Sequence, residues 1–304
     1  MNKPFHSGFV SIIGRPNAGK STLLNAFVGQ KVAIVADKPQ TTRTSIQGVA
    51  TTPESQIVFL DTPGIHKADS PLNKRLMDQV RNALEERDLL LFVADATREF
   101  TEDDRRAVDL ARKTSTPVVL VLNKVDLLKD KAALLPLIEQ YKAAHEFADY
   151  VPVSAAKGEG VEELRKIILE RLPEGPAYFP EDYITDQPER FLAAELVREK
   201  VLLLTRQEVP HSVAVAVDQW EETPKITRIY ATIRVERDGQ KAIVIGAGGS
   251  MLKRIGTLAR EEMERLFGVK IYLDLHVRVQ PGWREQPAFL NSLDWRTMAG
   301  GDDK

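Results

Sequence analysis

Hydrophobic residues in the first half of the chain form short, nearly continuous runs, and stretches with the spacing of an amphipathic helix separate them. Such runs predict strands of a parallel sheet that is covered on both faces, because these strands are buried on both sides. The predicted strands are 9–13, 56–60, 89–95, 117–122 and 150–153. The predicted helical stretches are 72–86, 102–113 and 160–171. This pattern predicts an α/β domain that binds its ligand at the carboxyl ends of the strands.

The second half of the chain has a different pattern. Four prolines and no helical period mark 173–188 as a linker. Beyond it the predicted elements are a helix over 189–206, alternating strands over 212–219 and 226–236, a short apolar run at 242–245, a glycine-rich turn, a helix over 250–267 and a strand over 270–279. The predicted organisation is a first domain at 1–172, the linker at 173–188 and an α+β domain at 189–304.

Composition narrows the class of protein further. The chain has 304 residues, enough for two domains, and its formal net charge of -2 gives no sign of a polyanionic partner. It has no cysteine, which excludes disulfides and thiolate chemistry and fits a reducing cytosol. We find no signal peptide and no run of about 18 apolar residues that could span a bilayer. We therefore expect a cytoplasmic location, with any membrane contact peripheral.

A glycine-rich motif directly follows the first predicted strand and opens a helix. Its residues are Gly14, Arg15, Pro16, Asn17, Ala18, Gly19, Lys20 and Ser21. This motif matches the phosphate-binding P-loop, and the strand before it and the helix after it are the context that the P-loop requires. The glycines let backbone N–H groups curl around phosphate oxygens at the start of a helix. We expect Lys20 to reach the outer phosphates and Ser21 to bind Mg²⁺.

Two further segments are placed to sense the terminal phosphate of a nucleotide. The second predicted strand ends in Asp61, Thr62, Pro63 and Gly64. Asp61 would hold Mg²⁺ through water, and the Gly64 N–H would meet the γ-phosphate. In the loop 38–44, a threonine would complete the magnesium shell only while that phosphate is present, which makes the loop a switch. We select Thr42 for this role, with Thr41 as the alternative.

The base-binding residues follow the last two predicted strands. They are Asn123, Lys124, Val125 and Asp126, and then Ser154 and Ala155. Asp126 would accept hydrogen bonds from N1–H and the N2 amino group of guanine. Adenine lacks that amino group and would leave the carboxylate unpaired, which opposes an ATPase. Asn123 would hold the loop, the Lys124 stem would cover the ring, and a backbone N–H after the last strand would meet guanine O6.

The motifs resemble those of the translation-factor-like GTPases in which a hydrophobic residue replaces the catalytic glutamine. Ile65 occupies that position here, and an isoleucine cannot orient water. The resemblance implies that a P-loop asparagine, Asn17 in this chain, holds K⁺ beside the phosphates, where positive charge would stabilise the transition state. The implied reaction is in-line attack of water on the γ-phosphate, with Lys20, Mg²⁺ and K⁺ offsetting charge. We assign Lys20, Thr42, Gly64 and Asn17 to catalysis.

A second resemblance covers the whole chain. Gly246, Ala247, Gly248 and Gly249 precede a helix and look like the GXXG loop of a KH domain, which clamps about four single-stranded nucleotides. Together with FPEDYITD at 179–186, ELVREK at 195–200 and VPHSVAV at 209–215, the chain resembles the Era family of bacterial GTPases. The resemblance implies a Ras-like P-loop NTPase domain joined to a type II KH domain. It also implies binding to the 3′ end of 16S ribosomal RNA, a role in maturing the small (30S) ribosomal subunit, and peripheral inner-membrane contact. We expect a monomer.

The centre of the glycine loop departs from the family pattern. Ala247 and Gly248 are not basic, whereas the family often has a lysine there. Residues 181–304 hold 18 Lys and Arg against 20 Asp and Glu, so the second domain as a whole is not basic. Locally, however, 241–260 has Lys241, Lys253, Arg254 and Arg260 and no acidic residue. This stripe favours RNA, with Lys253 and Arg254 as phosphate contacts beside the glycine loop.

Two other functions compete with this interpretation. The second domain could bind a protein instead of RNA. The chain could also be a nucleotide-independent RNA chaperone with a degenerate first domain, which the intact Lys20, Ser21 and Asp126 oppose.

Overall fold

The computed structural model describes residues 4–38, 40–65, 71–85, 87–206 and 209–295. Pro39 of the predicted switch loop, Glu86 at the end of the predicted helix 72–86, and residues 296–304 of the predicted second domain lie outside this range. The chain divides into two compact units. The first ends at Asp186 and the second begins at Gln187, inside the stretch 173–188 that the sequence marks as a linker. Ala36–Thr41 group with the second unit.

The first unit is built on a six-stranded sheet in the order β2-β3-β1-β4-β5-β6. Its strands are β1 (His6–Gly14), β2 (Ile46–Thr52), β3 (Ser55–Asp61), β4 (Leu89–Asp95), β5 (Val118–Asn123) and β6 (Asp149–Pro152). All neighbouring pairs are parallel except β2 with β3. The register pairs Ile12 with Asp61 and Asp95 with Asn123, so the motifs that follow β1, β3 and β5 meet at one edge.

Helices cover both faces of this sheet. They are α1 (Lys20–Val28), α2 (Pro71–Asn82), α3 (Glu102–Ala111), α4 (Leu134–Ala144) and α5 (Val161–Leu169). Side chains alternate between faces along a strand, so Ile12 joins the hydrophobic cluster with α1 and α5. Its neighbour Ile13 joins the cluster with α3 and α4. The near-continuous hydrophobic runs of the sequence are explained by this burial on both sides.

The stretch 173–186 is bonded to the first unit and is not a free tether. The Gln56 side chain accepts hydrogen bonds from the N–H groups of Tyr178 and Phe179 and donates to the Phe179 carbonyl. Farther along, the N–H of Val49 on β2 donates to the carbonyl of Ile184. These hydrogen bonds hold the segment against strands β2 and β3 at the edge of the sheet.

The second unit has an α+β fold, with helices and a three-stranded sheet in the order β7-β8-β9. Its elements are α6 (Glu189–Leu204), β7 (Ala214–Glu222), β8 (Thr227–Val235), α7 (Asp238–Ile245), α8 (Ser250–Phe267), β9 (Ile271–Val279) and α9 (Pro287–Ser292). Strands β7 and β8 are antiparallel, whereas β8 and β9 are parallel and are joined through α7 and α8. The first six of these elements have the order α-β-β-α-α-β that is expected of the predicted domain, and the predicted fold class is confirmed.

Two elements of the first unit were not predicted, the antiparallel strand β2 and the helix α4. In the second unit, the apolar run 242–245 belongs to helix α7, which ends at the glycine turn. Among the helices that the structure describes, none combines the length and the apolar character needed to cross a membrane.

Candidate functional site

The loop after β1 has the backbone of a phosphate cradle. Gly14, Asn17 and Gly19 all have positive φ, and a Cβ on Gly14 would lie 2.3 Å from the carbonyl oxygen of Val93. The buried Lys20 Nζ donates to the carbonyls of Gly14, at 3.2 Å, and Arg15, at 2.9 Å, so its ammonium group lies inside the loop. The sequence therefore folds this loop around the position that a phosphate group would occupy.

Beside this loop, three oxygen-bearing side chains from separate segments meet. The Ser21 hydroxyl donates to Asp61 Oδ2 at 2.6 Å and lies 2.9 Å from the Thr42 hydroxyl, which is 3.4 Å from the same carboxylate oxygen. Asp61 is fully buried, and its other oxygen, Oδ1, has no hydrogen-bond partner within the described residues. A buried carboxylate oxygen without a partner is costly. A hard, oxygen-liganded cation such as Mg²⁺ fits this donor set.

The electrostatics of the same cluster agree with charged ligands. Burial raises the pKa of the Asp61 carboxyl to about 6, against the charge of Lys20 and the hydrogen bonds of Ser21 and Thr42. Burial also lowers the pKa of the Lys20 ammonium to about 8, which the Asp61 charge partly opposes. Phosphate beside Lys20 and a cation beside Asp61 would each favour the charged form.

The geometry separates the two candidate threonines of the switch loop. Only Thr42 reaches Ser21 and Asp61. The Thr41 hydroxyl donates to the carbonyls of Ala36, at 3.1 Å, and Lys38, at 2.6 Å, and is thereby used within its own loop. The choice of Thr42 over Thr41 is supported by this arrangement.

Asn123 connects the loops that the sequence predicts to bind the base. Its Nδ2 donates to the carbonyl of Ala18 at 2.9 Å, and its Oδ1 accepts from the N–H of Ala155 at 3.0 Å. Asp126 follows in a short turn, half-buried, and no described residue donates a hydrogen bond to its carboxylate. Its acceptors are therefore open to a base.

Lys124 is held by a residue that the sequence did not single out. Its ammonium group lies 2.7 Å from Asp95 Oδ2 at the end of β4. Burial alone would raise the pKa of Asp95, but the hydrogen bonds from Lys124 and Thr97 lower it below the ordinary value. Asp95 thus remains charged and fixes the Lys124 stem.

The backbone N–H groups directly after β6 already donate hydrogen bonds within the protein, which the sequence does not indicate. The Ser154 N–H donates to the carbonyl of Glu159 at 2.9 Å, and the Ala155 N–H already donates to Asn123. Contact between Ala155 and guanine O6 therefore requires a shared hydrogen bond.

Two other residues near the phosphates have their side chains directed elsewhere. The Arg15 guanidinium lies 2.6 Å from Asp104 Oδ2 at the start of α3, so only its backbone is available to a nucleotide. Ile65 packs against the hydrophobic cluster that contains Ile13, and its N–H donates to the Gly14 carbonyl at 3.2 Å.

The strand end before Ile65 is also constrained. A Cβ on Gly64 would lie 2.8 Å from the backbone of Pro16, so this position needs glycine. Thr62 donates to the carbonyl of Ile12 and anchors the strand end.

The glycine turn of the second unit joins α7 to α8. Gly246, Gly248 and Gly249 all have positive φ. A Cβ on Gly246 would lie 2.7 Å from that of Met251, whereas space is open around Gly248 and Gly249. The exposed side of this turn can therefore receive another chain.

A cleft of about 390 Å³ runs beside this turn along α8 and β9. It is lined by Gly249, Leu252, Lys253, Gly256, Thr257, Arg260, Leu273 and Leu275. The predicted contact Lys253 lines the cleft, but Arg254 does not, since successive residues of a helix with 3.6 residues per turn lie on different faces. Arg260 lines the cleft instead, two helical turns after Lys253 and on the same face. That spacing was the available signal in the sequence.

These two sites define the class of the protein. A P-loop with an adjoining oxygen cluster and an open Asp126 characterises a guanine-nucleotide-binding P-loop protein, and the glycine turn with its cleft characterises a KH domain. Family models agree, since residues 9–124 match a 50S ribosome-binding GTPase and residues 208–284 match a KH domain.

Comparison with known proteins gives the particular family. The chain is 50% identical to GTPase Era of Geobacter metallireducens, over 97% of this chain and 99% of the relative. It is also 50% identical to GTPase Era of Nostoc sp., over 96% and 90%. A variant of Aquifex aeolicus Era bound to GDP and AlF4⁻ has a TM-score of 0.92 at 42% identity, covering 96% of this chain and 99% of that one. A structure of Era with MgGDPNP and nucleotides 1506–1542 of 16S ribosomal RNA gives the same values. The chain belongs to the GTPase Era family.

Proposed function

We propose that this protein is a GTP-hydrolysing molecular switch that requires Mg²⁺. The observation that carries the proposal is the cluster of Ser21, Thr42 and Asp61, with its unpartnered carboxylate oxygen, directly beside Lys20. Ser21 and Thr42 would bind Mg²⁺ directly, and Asp61 through water. When bound there, Mg²⁺ would neutralise charge on the β- and γ-phosphates. The relatives crystallised with GDP and AlF4⁻ and with MgGDPNP support this assignment.

The chain's own residues contribute mainly positioning and charge. Lys20 would bind the outer phosphates, and the Gly64 N–H would donate to the γ-phosphate as it is transferred to water. No described side chain is placed as a general base, and Ile65 packs into the core, so the attacking water must be oriented by other groups. In this proposal, Thr42 no longer binds Mg²⁺ once the γ-phosphate is lost, and the switch loop is released.

Potassium is the second cation of the proposal. Asn17 has a positive φ of 62°, and no described residue bonds its side chain. Its amide oxygen is therefore available to a monovalent ion beside the phosphates. Such an ion would supply fixed positive charge where charge develops in the transition state.

For the second unit, we propose binding to the single-stranded 3′ end of 16S ribosomal RNA and assistance in maturing the 30S subunit. The open glycine turn, the cleft with Lys253 and Arg260, and the relative solved with a 16S ribosomal RNA fragment support this. We also propose that the protein is a monomer and works in the cytoplasm. The family resemblance implies peripheral contact with the inner membrane.

Single-turnover hydrolysis of GTP tests the nucleotide assignment. Turnover should require Mg²⁺, and Thr42→Ala should lower it at least tenfold. Hydrolysis should be faster in KCl than in NaCl at equal ionic strength, and Asn17→Ala should remove that difference. Equal rates in the two salts would refute the potassium role alone, whereas parent-like turnover by Thr42→Ala would refute the magnesium role.

A further inference from the structure

Arg198 of helix α6 is almost completely buried, and it binds a loop far away in the sequence. Its side chain is 2% exposed, and its guanidinium donates to the carbonyl of Thr41 and, at 3.4 Å, to that of Gln40. Gln40 and Thr41 belong to the same compact unit as α6, so the contact lies inside the second unit. A buried arginine normally pairs with a carboxylate or several acceptors, because an uncompensated charge is costly.

Glu195 fixes the orientation of this arginine. Arg198 Nε lies 2.7 Å from Glu195 Oε1, and Arg198 Nη2 lies 2.5 Å from Oε2. This bidentate pair holds the planar guanidinium and directs its remaining donors at the loop. A lysine offers no such fixed fork of donors.

The loop that receives these hydrogen bonds is tightly folded. Gln40 has a φ of 59°, an unfavourable backbone conformation for a residue other than glycine. The Thr41 hydroxyl ties the loop back to Ala36 and Lys38. Such a conformation persists where surrounding contacts hold it, and Arg198 supplies two of them.

We propose that Arg198 is a positioning residue for GTP hydrolysis, acting through the peptide bond between Thr41 and Thr42. By holding the Thr41 carbonyl, it fixes the direction in which the chain enters Thr42, whose hydroxyl lies 2.9 Å from that of Ser21. Arg198 touches neither nucleotide nor metal in this scheme. The inference rests on the proposed role of Thr42 as a magnesium ligand in the GTP state.

The test uses the full-length chain and two matched arginine variants of one helix. Arg198→Met removes the donors while keeping most of the side-chain volume. Arg190→Met is the control, because Arg190 also lies on α6 and its guanidinium donates to two backbone carbonyls, those of Val217 and Asp218, both at 3.0 Å. Arg198→Lys keeps the charge beside Glu195 and provides a variant with a smaller perturbation of folding.

We expect Arg198→Met to raise the Mg²⁺ concentration for half-maximal GTP hydrolysis about tenfold, since charge-assisted hydrogen bonds to the loop are lost. Its affinity for GDP should stay within about twofold of the parent, because Thr42 acts only with the γ-phosphate present. Arg198→Lys should be intermediate, and Arg190→Met should match the parent. A spin label on Asp37→Cys, in a chain without other cysteines, should be more mobile with a GTP analogue when Arg198→Met is added.

Combination with Thr42→Ala separates the possible failures. If Arg198 acts through Thr42, then Arg198→Met should cause no further loss in the Thr42→Ala background. An equal fractional loss in both backgrounds would overturn the inference. The inference would also be overturned if Thr42→Ala impaired GTP hydrolysis but neither Arg198→Met nor Arg198→Lys had any effect. That outcome would leave the proposed function intact. Parent-like hydrolysis by Thr42→Ala would instead refute the magnesium assignment on which the inference rests.

Discussion

At the scale of single residues, the nucleotide site depends on side chains that join separate loops. Asn123 binds the carbonyl of Ala18 and the N–H of Ala155, and so holds the P-loop to the segment after β6. A Cβ on Gly19 would lie 2.1 Å from Asn123 Nδ2, so a glycine is needed for this approach. Asp126, by contrast, makes no such connection, and no described residue donates a hydrogen bond to its carboxylate. The two residues of one motif therefore have different physical roles.

Asp126 should decide which nucleotide binds. Asp126→Asn replaces an acceptor pair by an amide, which no longer matches N1–H and the N2 amino group of guanine but can donate to the C2 oxygen of xanthine. We expect GTP affinity to fall about 10- to 100-fold, since an unmatched buried polar pair costs about 1–3 kcal/mol, and XTP affinity to rise. Competition binding with the two nucleotides measures both changes. An unchanged preference for GTP would reject the assignment of Asp126 to the base.

At the scale of secondary-structure elements, the stretch 173–186 shows how a proline-rich segment can be fixed in place. Gln56 on β3 is fully buried, and its amide satisfies three backbone groups of Tyr178 and Phe179. The ring of Phe179 stacks on Tyr183 at 4.5 Å. One strand residue thus supplies three of the hydrogen bonds that hold this stretch against the sheet.

Gln56→Leu should destabilise the protein through these backbone groups. It keeps the approximate volume but leaves two N–H groups and one carbonyl without partners. We expect the free energy of unfolding of the first unit to fall by about 2–4 kcal/mol. Urea denaturation followed by far-UV circular dichroism measures this, with Gln140→Leu on the exposed side of α4 as the control. A loss below about 0.5 kcal/mol, the level of an ordinary surface substitution, would contradict the role of Gln56.

The glycine turn before α8 should control RNA binding. Gly249 has a φ of 79°, a conformation that aspartate adopts with less strain than most residues, and no neighbouring atom obstructs a Cβ there. Gly249→Asp should therefore fold but place a carboxylate beside the cleft, and it should abolish binding to single-stranded RNA. Gly268→Asp, at the other end of α8 with a φ of 70° and open space, is the matched control. Filter binding at low salt compares the two, and equal binding would reject the RNA site and favour a protein partner.

Lys253→Ala tests the charge in the same cleft. Removing one phosphate contact should weaken binding about equally for all sequences and flatten the salt slope by about 0.7, the value for one phosphate on a single strand. Lys270→Ala, outside the residues that line the cleft, serves as its control. A sequence-dependent loss would indicate that Lys253 reads bases instead of phosphates.

The sequence predicted the parts of the fold and site that have local patterns. Each of these parts is encoded by a short run of consecutive residues: the strands β1, β3, β4, β5 and β6, and the P-loop. The predicted strand bounds agree with the structure to within a few positions. Strand β2 was missed because an antiparallel edge strand lacks the long hydrophobic run of a central strand. The contacts of Arg198 with Thr41 and of Gln56 with Phe179 join residues more than a hundred positions apart, and a single polar residue gives no periodic signal for such a partner. Arg254 was selected by nearness in sequence, but Arg260 shares the helix face of Lys253.

At the scale of the whole molecule, the proposal for Arg198 depends on the segment Ala36–Thr41, which groups with the second unit. Thr42, the next residue, groups with the first unit, where its hydroxyl lies 2.9 Å from that of Ser21. Helix α6 holds this segment through Arg198 and also carries Lys200. The Lys200 ammonium group pairs with Glu199 on α6 and with Glu262 on α8. Helix α8 in turn lines the cleft beside the glycine turn. If Arg198 positions Thr42 as proposed, we expect a coupling free energy between nucleotide binding and the second unit, and such coupling is reciprocal for binding.

The tryptophans allow this coupling to be measured. All three, Trp220, Trp283 and Trp295, lie in the second unit, so their fluorescence reports its unfolding. A GTP analogue with Mg²⁺ at a hundred times its Kd stabilises the unit that binds it by about 2.7 kcal/mol. We expect part of that free energy to reach the second unit through Thr41 and Arg198, raising the Tm seen by tryptophan fluorescence. GDP should raise it less, because in the proposed switch Thr42 binds Mg²⁺ only while the γ-phosphate is present.

Arg198→Met should remove the difference between the analogue and GDP in this measurement, whereas Arg190→Met should retain it. Titration of the analogue into the same variant verifies that it still binds, so a lost response cannot be attributed to lost nucleotide. If the fluorescence Tm of Arg198→Met rises with the analogue as much as that of the parent, coupling does not pass through this arginine. The loop would then be held by the second unit without reporting the nucleotide state, since a ligand shifts only an equilibrium whose states it binds differently.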